Sequence, residues 1–212
     1  GAITGAGVVN FADTQTTGAA ITATTINVDA GGAVTAGGAI TGAVVVDSGT
    51  VLSMGDNAVT GAVANAGTLN LTTGVVSGAI TGAGVVNFAD TQTTGAAITA
   101  TTINVDAGGA VTAGGAITGA VVVDSGTVLS MGDNAVTGAV ANAGTLNLTT
   151  GVVSGAITGA GVVNFAGTQT TGDAITATTI NVDTGGAVTA GGAITGAVVV
   201  DSGTVLSMGD NA

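Results

Sequence analysis

The residues best placed to do chemistry are aspartates in a fixed setting. Asp47-Ser48-Gly49-Thr50 follows Val44-Val45-Val46, and the same stretch returns at Asp124 and Asp201. An apolar run leading into Asp, Ser or Thr, Gly, and Ser or Thr is the loop pattern of hydrolases in which two carboxyl groups share one proton. A second chemistry needs the aspartates as cation ligands. Asp29 and Asp47, Asp106 and Asp124, and Asp183 and Asp201 recur as pairs 18 residues apart, and hard oxygen donors suit calcium. Thr4, Thr22, Thr41 and Thr60 form a third pattern, a hydroxyl every 18 or 19 residues. Asn70-Leu71-Thr72 and Asn147-Leu148-Thr149 are N-glycosylation triplets.

The rest of the chain offers these groups little help. Among 212 residues there is no Lys, Arg, His, Cys, Pro, Trp or Tyr, and all 12 acidic residues are Asp, for a net charge of −12. General acid–base and nucleophilic catalysis would run on Asp, Ser and Thr alone. Zinc, iron and copper lose their usual nitrogen and sulfur ligands. Phosphate has no cation to meet, so nucleic acid and acidic membranes should repel the chain. Every apolar run is interrupted well before the ~18 residues of a spanning helix, so this segment is not expected to insert into a membrane. No signal peptide is visible and the chain starts at Gly1, which reads as a window into a longer precursor. No cofactor is required.

The elements that position these groups come from a repeat. Gly1 to Phe11 returns at Gly78 and Gly155, a period of 77. Residues 1–77 and 78–154 are identical, and 155–212 copy the first 58 positions with Gly167, Asp173 and Thr184 as the three changes. Inside the block, Ala-Ile/Val-Thr begins at Ala2, Ala20, Ala39, Ala58 and Ala79, at spacings of 18, 19, 19 and 21. Each block then reads as four coils. The expectation is four rungs in 1–77, four in 78–154 and three in 155–212, in one continuous stack.

Gly and β-branched residues disfavour helix and suit short strands. Three runs per coil, separated by Gly, Asp or Asn, predict an all-β parallel β-solenoid (β-helix) of about 11 rungs of 18–21 residues, with a lean toward right-handed winding. Eleven rungs span about 53 Å at ~4.8 Å each. Ile3, Ile21, Ile40 and Val59 are expected in one inward column, and Val8, Ile26, Val44 and Ala62 in another. The Thr4 series should face outward. In the third strand, Val51 and Leu69 favour one register, and Val34 and Leu52 the other. Turn positions are expected at Asp13, Gly31, Gly49 and Gly67, at Asp90, Gly108, Gly126 and Gly144, and at Gly167, Gly185 and Gly203. Positive φ favours Gly there and tolerates Asp, which fits the exchange of Asp13 for Gly167. Neither Gly1 nor Asp210-Asn211-Ala212 reads as a polar cap.

Stacking reinterprets the motifs. Sister coils carry Asp29-Ala30-Gly31-Gly32 and Asn65-Ala66-Gly67-Thr68 where the aspartic-protease signature stands, so the motif reads as a solvated turn. The expected order down that edge is Phe11, Asp29, Asp47, Asn65. Two solvated carboxylates ~4.8 Å apart repel by only about 1 kcal/mol in water, so no ion is demanded. Ice binding uses paired Thr arrays, and only one column here is Thr in every coil. Phe11, Phe88 and Phe165, with Met54, Met131 and Met208, read as packing residues.

Asn65-Ala66-Gly67-Thr68-Leu69-Asn70-Leu71, repeated at Asn142 to Leu148, resembles the Asn-x-Gly-Thr-Leu phrase of bacterial autotransporter passengers. The near-identical Gly/Ala/Val/Thr/Asn blocks resemble the repeat regions of rickettsial outer-membrane surface antigens and other giant bacterial adhesins. The resemblance implies a non-catalytic, extracellular or cell-surface bacterial stalk or fibre, and it transfers no functional residue. Near-identical copies suit stacking on one another, which makes the chain itself the expected partner. An adhesin rod that binds a host or matrix ligand is the alternative. A polysaccharide-active β-helix enzyme fits less well, because identical repeats spread residues evenly instead of clustering them. Zero Pro and regular columns weigh against a disordered elastomer.

Overall fold

The computed structural model describes residues 1–209. The expected terminal stretch Asp210-Asn211-Ala212 lies outside the described residues. Twenty-nine short strands join in one sheet, every pairing is parallel, and the described residues contain no helix. The chain winds as a β-solenoid of about 11 turns, each strand bonding to one 17–19 residues away. Val, Ile and Thr supply the strands because branched side chains fit a pleated, half-buried surface.

Each turn presents three sides, and each side carries an inward column along the axis beside further buried positions such as Val28, Val46 and Phe88. The first holds Ile3, Ile21, Ile40, Val59, Val76, Thr94 and Ala113. The second runs Val9, Ile26, Val44, Val63, Ile80, Ile98, Ile117, Val136, Val153, Thr171, Ala190. The third runs Gln15, Val34, Leu52, Leu69, Val86, Ile103, Val121, Val140, Ile157, Ile175, Ile194. Away from the first and last rungs, the Ile, Val and Leu side chains in these columns are buried and form one narrow core with Phe88, Phe165, Met54 and Met131.

Pleat parity decides who enters the core. The first expected column is formed by the expected residues, and Thr4, Thr22, Thr41 and Thr60 pair in an exposed outward ladder. The second differs by one residue at both ends: Val9 and Val63 face inward, not Val8 and Ala62. The rung step there is 17 at the start, which puts Phe11 over Val28 and carries Val9 inward with it. In the third strand the inward series is Val34, Leu52, Leu69, and Val51 pairs outward with Thr68.

The fourth coil of the block is the main correction. A 21-residue coil was expected to close from Ala58 to Ala79. Instead Val59 pairs with Val76, and Ile80 pairs with Val63 and Ile98. Gly74–Val76 is a strand of its own, which also pairs with Gln92–Thr94. Keeping the step at 17–19 residues lets every strand find a partner, whereas a 21-residue coil would leave these amides unpaired. The 77-residue block is therefore four turns plus one column, and four rungs per block is too few.

Candidate functional site

Each block builds an acidic corner from two stacked turns. The Asp29 amide donates to the Phe11 carbonyl at 2.9 Å, the Asp47 amide to the Val28 carbonyl at 3.0 Å, and the Ala66 amide to the Val46 carbonyl at 2.8 Å. Asp29 and Asp47 are thus neighbours, but the next residue on that edge is Ala66, not Asn65. Asn65 pairs with Val46 and is buried in the core. Asp106 with Asp124, and Asp183 with Asp201, repeat the arrangement on the other corners. Partial burial, and then the neighbouring Asp124 charge, push the Asp106 carboxyl above its ordinary value. In the third block the Thr184 hydroxyl donates to the Asp201 carboxylate at 3.2 Å. The described residues gather no third acidic side chain at any of these pairs. Two carboxylates alone give a cation few of the 6–8 oxygen ligands calcium takes.

The protease-like motif is the turn itself. The Thr50 amide and hydroxyl both donate to the Asp47 carbonyl oxygen, at 3.1 and 2.7 Å, and Gly49 takes φ +78°. Thr127 with Asp124, and Thr204 with Asp201, do the same. The motif threonine is thus bonded to main chain. Asp47 and Asp124 belong to different corners, separated by more than four rungs, so they share no proton.

The eleven expected turn positions fall into two kinds of corner. Where the inward positions are six apart in sequence, as Val28 and Val34 are, the third corner residue has positive φ. Gly31, Gly49, Gly108, Gly126, Gly185 and Gly203 are of this kind. Where they are four apart, as Phe11 and Gln15 are, the position needs no positive φ. Asp13, Gly67, Asp90, Gly144 and Gly167 are of this second kind. Gly67 is there for closeness: a side-chain carbon would strike the Asp47 and Thr50 carbonyl oxygens. The expectation of positive φ at Asp13 is corrected accordingly. The Asp13 carboxylate instead accepts from the Thr14 amide at 2.7 Å.

Sequence reasoning missed the asparagine ladders. Asn104 donates to Asn87 at 2.7 Å, Asn87 to Asn70 at 2.8 Å, and Asn70 to Ser53 at 3.2 Å. Asn181, Asn164, Asn147 and Ser130 repeat the chain of bonds, and Asn27 to Asn10 is a shorter version. The signal was the spacing of 17 from Asn70 to Asn87 to Asn104, hidden by longer spacings elsewhere. The glycosylation triplets begin inside these ladders, so the Asn70 and Asn147 amide nitrogens are already bonded.

Also missed was a polar intrusion into the core. Gln92 and Gln169 point inward, each 1% exposed, paired on one side with Gly74 and Gly151 and on the other with Val111 and Val188. Gln92 leaves its Nε2 without a partner, and Gln169 leaves both Nε2 and Oε1. Apolar exposure is concentrated at the two ends, at Ile3 and Val8 and at Val198, Val199, Val200 and Val205. Val75 and Val152, each 45% exposed, are the exceptions along the shaft. The arrangement is rich in self-complementary hydrogen bonding along the axis and poor in convergent reactive groups. Searches with this chain match no family model, no curated protein and no solved structure.

Proposed function

We propose that this chain is a structural shaft: a non-catalytic β-solenoid segment of a long extracellular bacterial repeat protein that forms a stiff stalk or fibre. The observation that carries this reading is continuity. Two inward columns of eleven residues run without a break, and hydrogen-bonded Asn ladders and a register-paired Thr ladder follow the same axis outside. Bending such a body must stretch backbone hydrogen bonds on one side and crush a close-packed core on the other. Length then scales with rung number. The acidic corners keep shafts apart by charge repulsion. Near-identical blocks present the same strand edges at every junction, so a second copy of the chain is the partner this reading expects.

Electron microscopy of this chain tests the reading. Straight rods, or filaments with a ~4.8 Å axial repeat, are expected. Flexible coils would overturn it. So would hydrolytic or lyase activity on a polymer that disappears in Asp47→Asn.

A further inference from the structure

The fold contains a rotational device that the repeat alone conceals. Ile3, Ile80 and Ile157 are the same residue of three successive blocks, yet they stand in the first, second and third columns respectively. The whole pattern moves with them. Asn10 and Asn27 flank the second column, Asn87 and Asn104 the third. The sharp bend in Ile21–Val28 joins columns one and two, and its copy in Ile98–Val105 joins columns two and three. From Ile3 the first column passes through Ile21, Ile40 and Val59 to Val76, which is four turns. The next block then begins one column further round.

We infer that each 77-residue block is a screw step of four and one-third turns, so that the number of blocks sets both the length of the shaft and the direction in which its far end faces. At ~4.8 Å per rung a block adds about 21 Å and turns everything beyond it by one column. Three blocks, 13 turns and about 62 Å, restore the original facing. The three sides of the shaft therefore carry one outward programme: four Thr, then Val75, Thr93, Thr112, Ser130, then three Asn. A partner that binds one ladder meets it again on the next side one block along, and on its own side only after three. Gain or loss of a block between identical copies preserves stacking and changes the facing. The inference rests on strand register and not on the proposed role as a shaft.

Paired cysteines in the complete chain test it, because the chain has no Cys of its own. Residues side by side in a parallel ladder have Cα atoms ~4.8 Å apart, inside the disulfide range. Ala64 neighbours Thr81, and Ala141 neighbours Thr158, across the junctions between blocks. All four are exposed, so substitution should spare the core. Oxidation of Ala64→Cys/Thr81→Cys and of Ala141→Cys/Thr158→Cys should consume the free thiols within the monomer. Thr60→Cys/Thr81→Cys should keep its thiols. Thr41→Cys/Thr60→Cys, neighbours within a block, reports the solenoid itself. Cross-linking of 60 with 81 would overturn the screw step. So would failure of both junction pairs while 41 and 60 still link, which would leave the solenoid standing. Failure of all pairs overturns both.

Discussion

One glutamine, copied three times into three environments, allows a quantitative test. Gln15 is exposed on the first rung. Gln92 is buried with one unpartnered amide atom, and Gln169 is buried with two. A buried polar group without a partner costs about 1–3 kcal/mol, and an apolar group of the same shape removes that cost. Met matches Gln in length and flexibility. Gln169→Met should therefore stabilise by about 1–3 kcal/mol, Gln92→Met by less, and Gln15→Met within about 0.5 kcal/mol of zero. In a chain of this size about 1 kcal/mol moves Tm by about 2–4 °C, so Gln169→Met should raise it by about 2–12 °C. Thermal unfolding followed by circular dichroism reads all three variants against one reference. If Gln169→Met lowers Tm, or matches Gln15→Met, the amide has a partner such as a bound water, and the reasoning fails.

Asn87→Ala interrupts a ladder in which Asn87 both donates and accepts, and should cost about 1–3 kcal/mol of unfolding free energy in denaturant titration; a neutral result would mean the ladder adds nothing. Gly67→Ala drives a carbon into two carbonyl oxygens and should destabilise by about 1–3 kcal/mol, measured in the same way. Asp106 has its folded-state pKa raised by burial and by Asp124, so the folded state holds that proton more tightly than the unfolded chain. This favours folding at acid pH and is lost as pH rises through the folded-state value. Asp106→Asn should accordingly stabilise at neutral pH and give no gain below the ordinary carboxylate range, which paired melts at the two pH values will read. Chelation should leave Tm unchanged, since the acidic corners supply only two carboxylates each; a large drop would restore the calcium reading of Asp29 and Asp47.

Much of the fold was legible because spacing and residue type agreed. Ile3, Ile21 and Ile40 share a word and a column, and the Thr ladder beside them follows. The misreadings share one cause. A repeated word records copying, whereas a rung is set by spacing, and the two part company at Ile80. Its word matches Ile3, but its distance of 17 from Val63 places it in another column. A slip of one residue reverses a strand's faces. A step of 17 or 19 in place of 18 therefore turns Val9 and Val63 inward where the repeated word points to Val8 and Ala62, and a step of 17 makes Leu52 and Leu69 neighbours on one face. The candidate sites were less legible. Asp29 and Asp47 were correctly paired, but Asn65 was placed on their edge because its turn resembles theirs. The shorter corner turns it inward. The buried glutamines gave no warning, since Gln15-Thr16-Thr17 has the look of a solvated strand.

The central claim is that rungs stack in this register, and three phenylalanines among seven leucines make it directly observable. Leu71 lies beside Phe88, and Leu148 beside Phe165, whereas Phe11 has only Val28 on its one paired side. Nuclear Overhauser spectra of a sample labelled at Leu methyls and Phe rings should show contacts from Leu71 to Phe88 and from Leu148 to Phe165, and none from any Leu to Phe11. Absence of Leu–Phe contacts, or a Phe11 ring in contact with a leucine, would contradict the account.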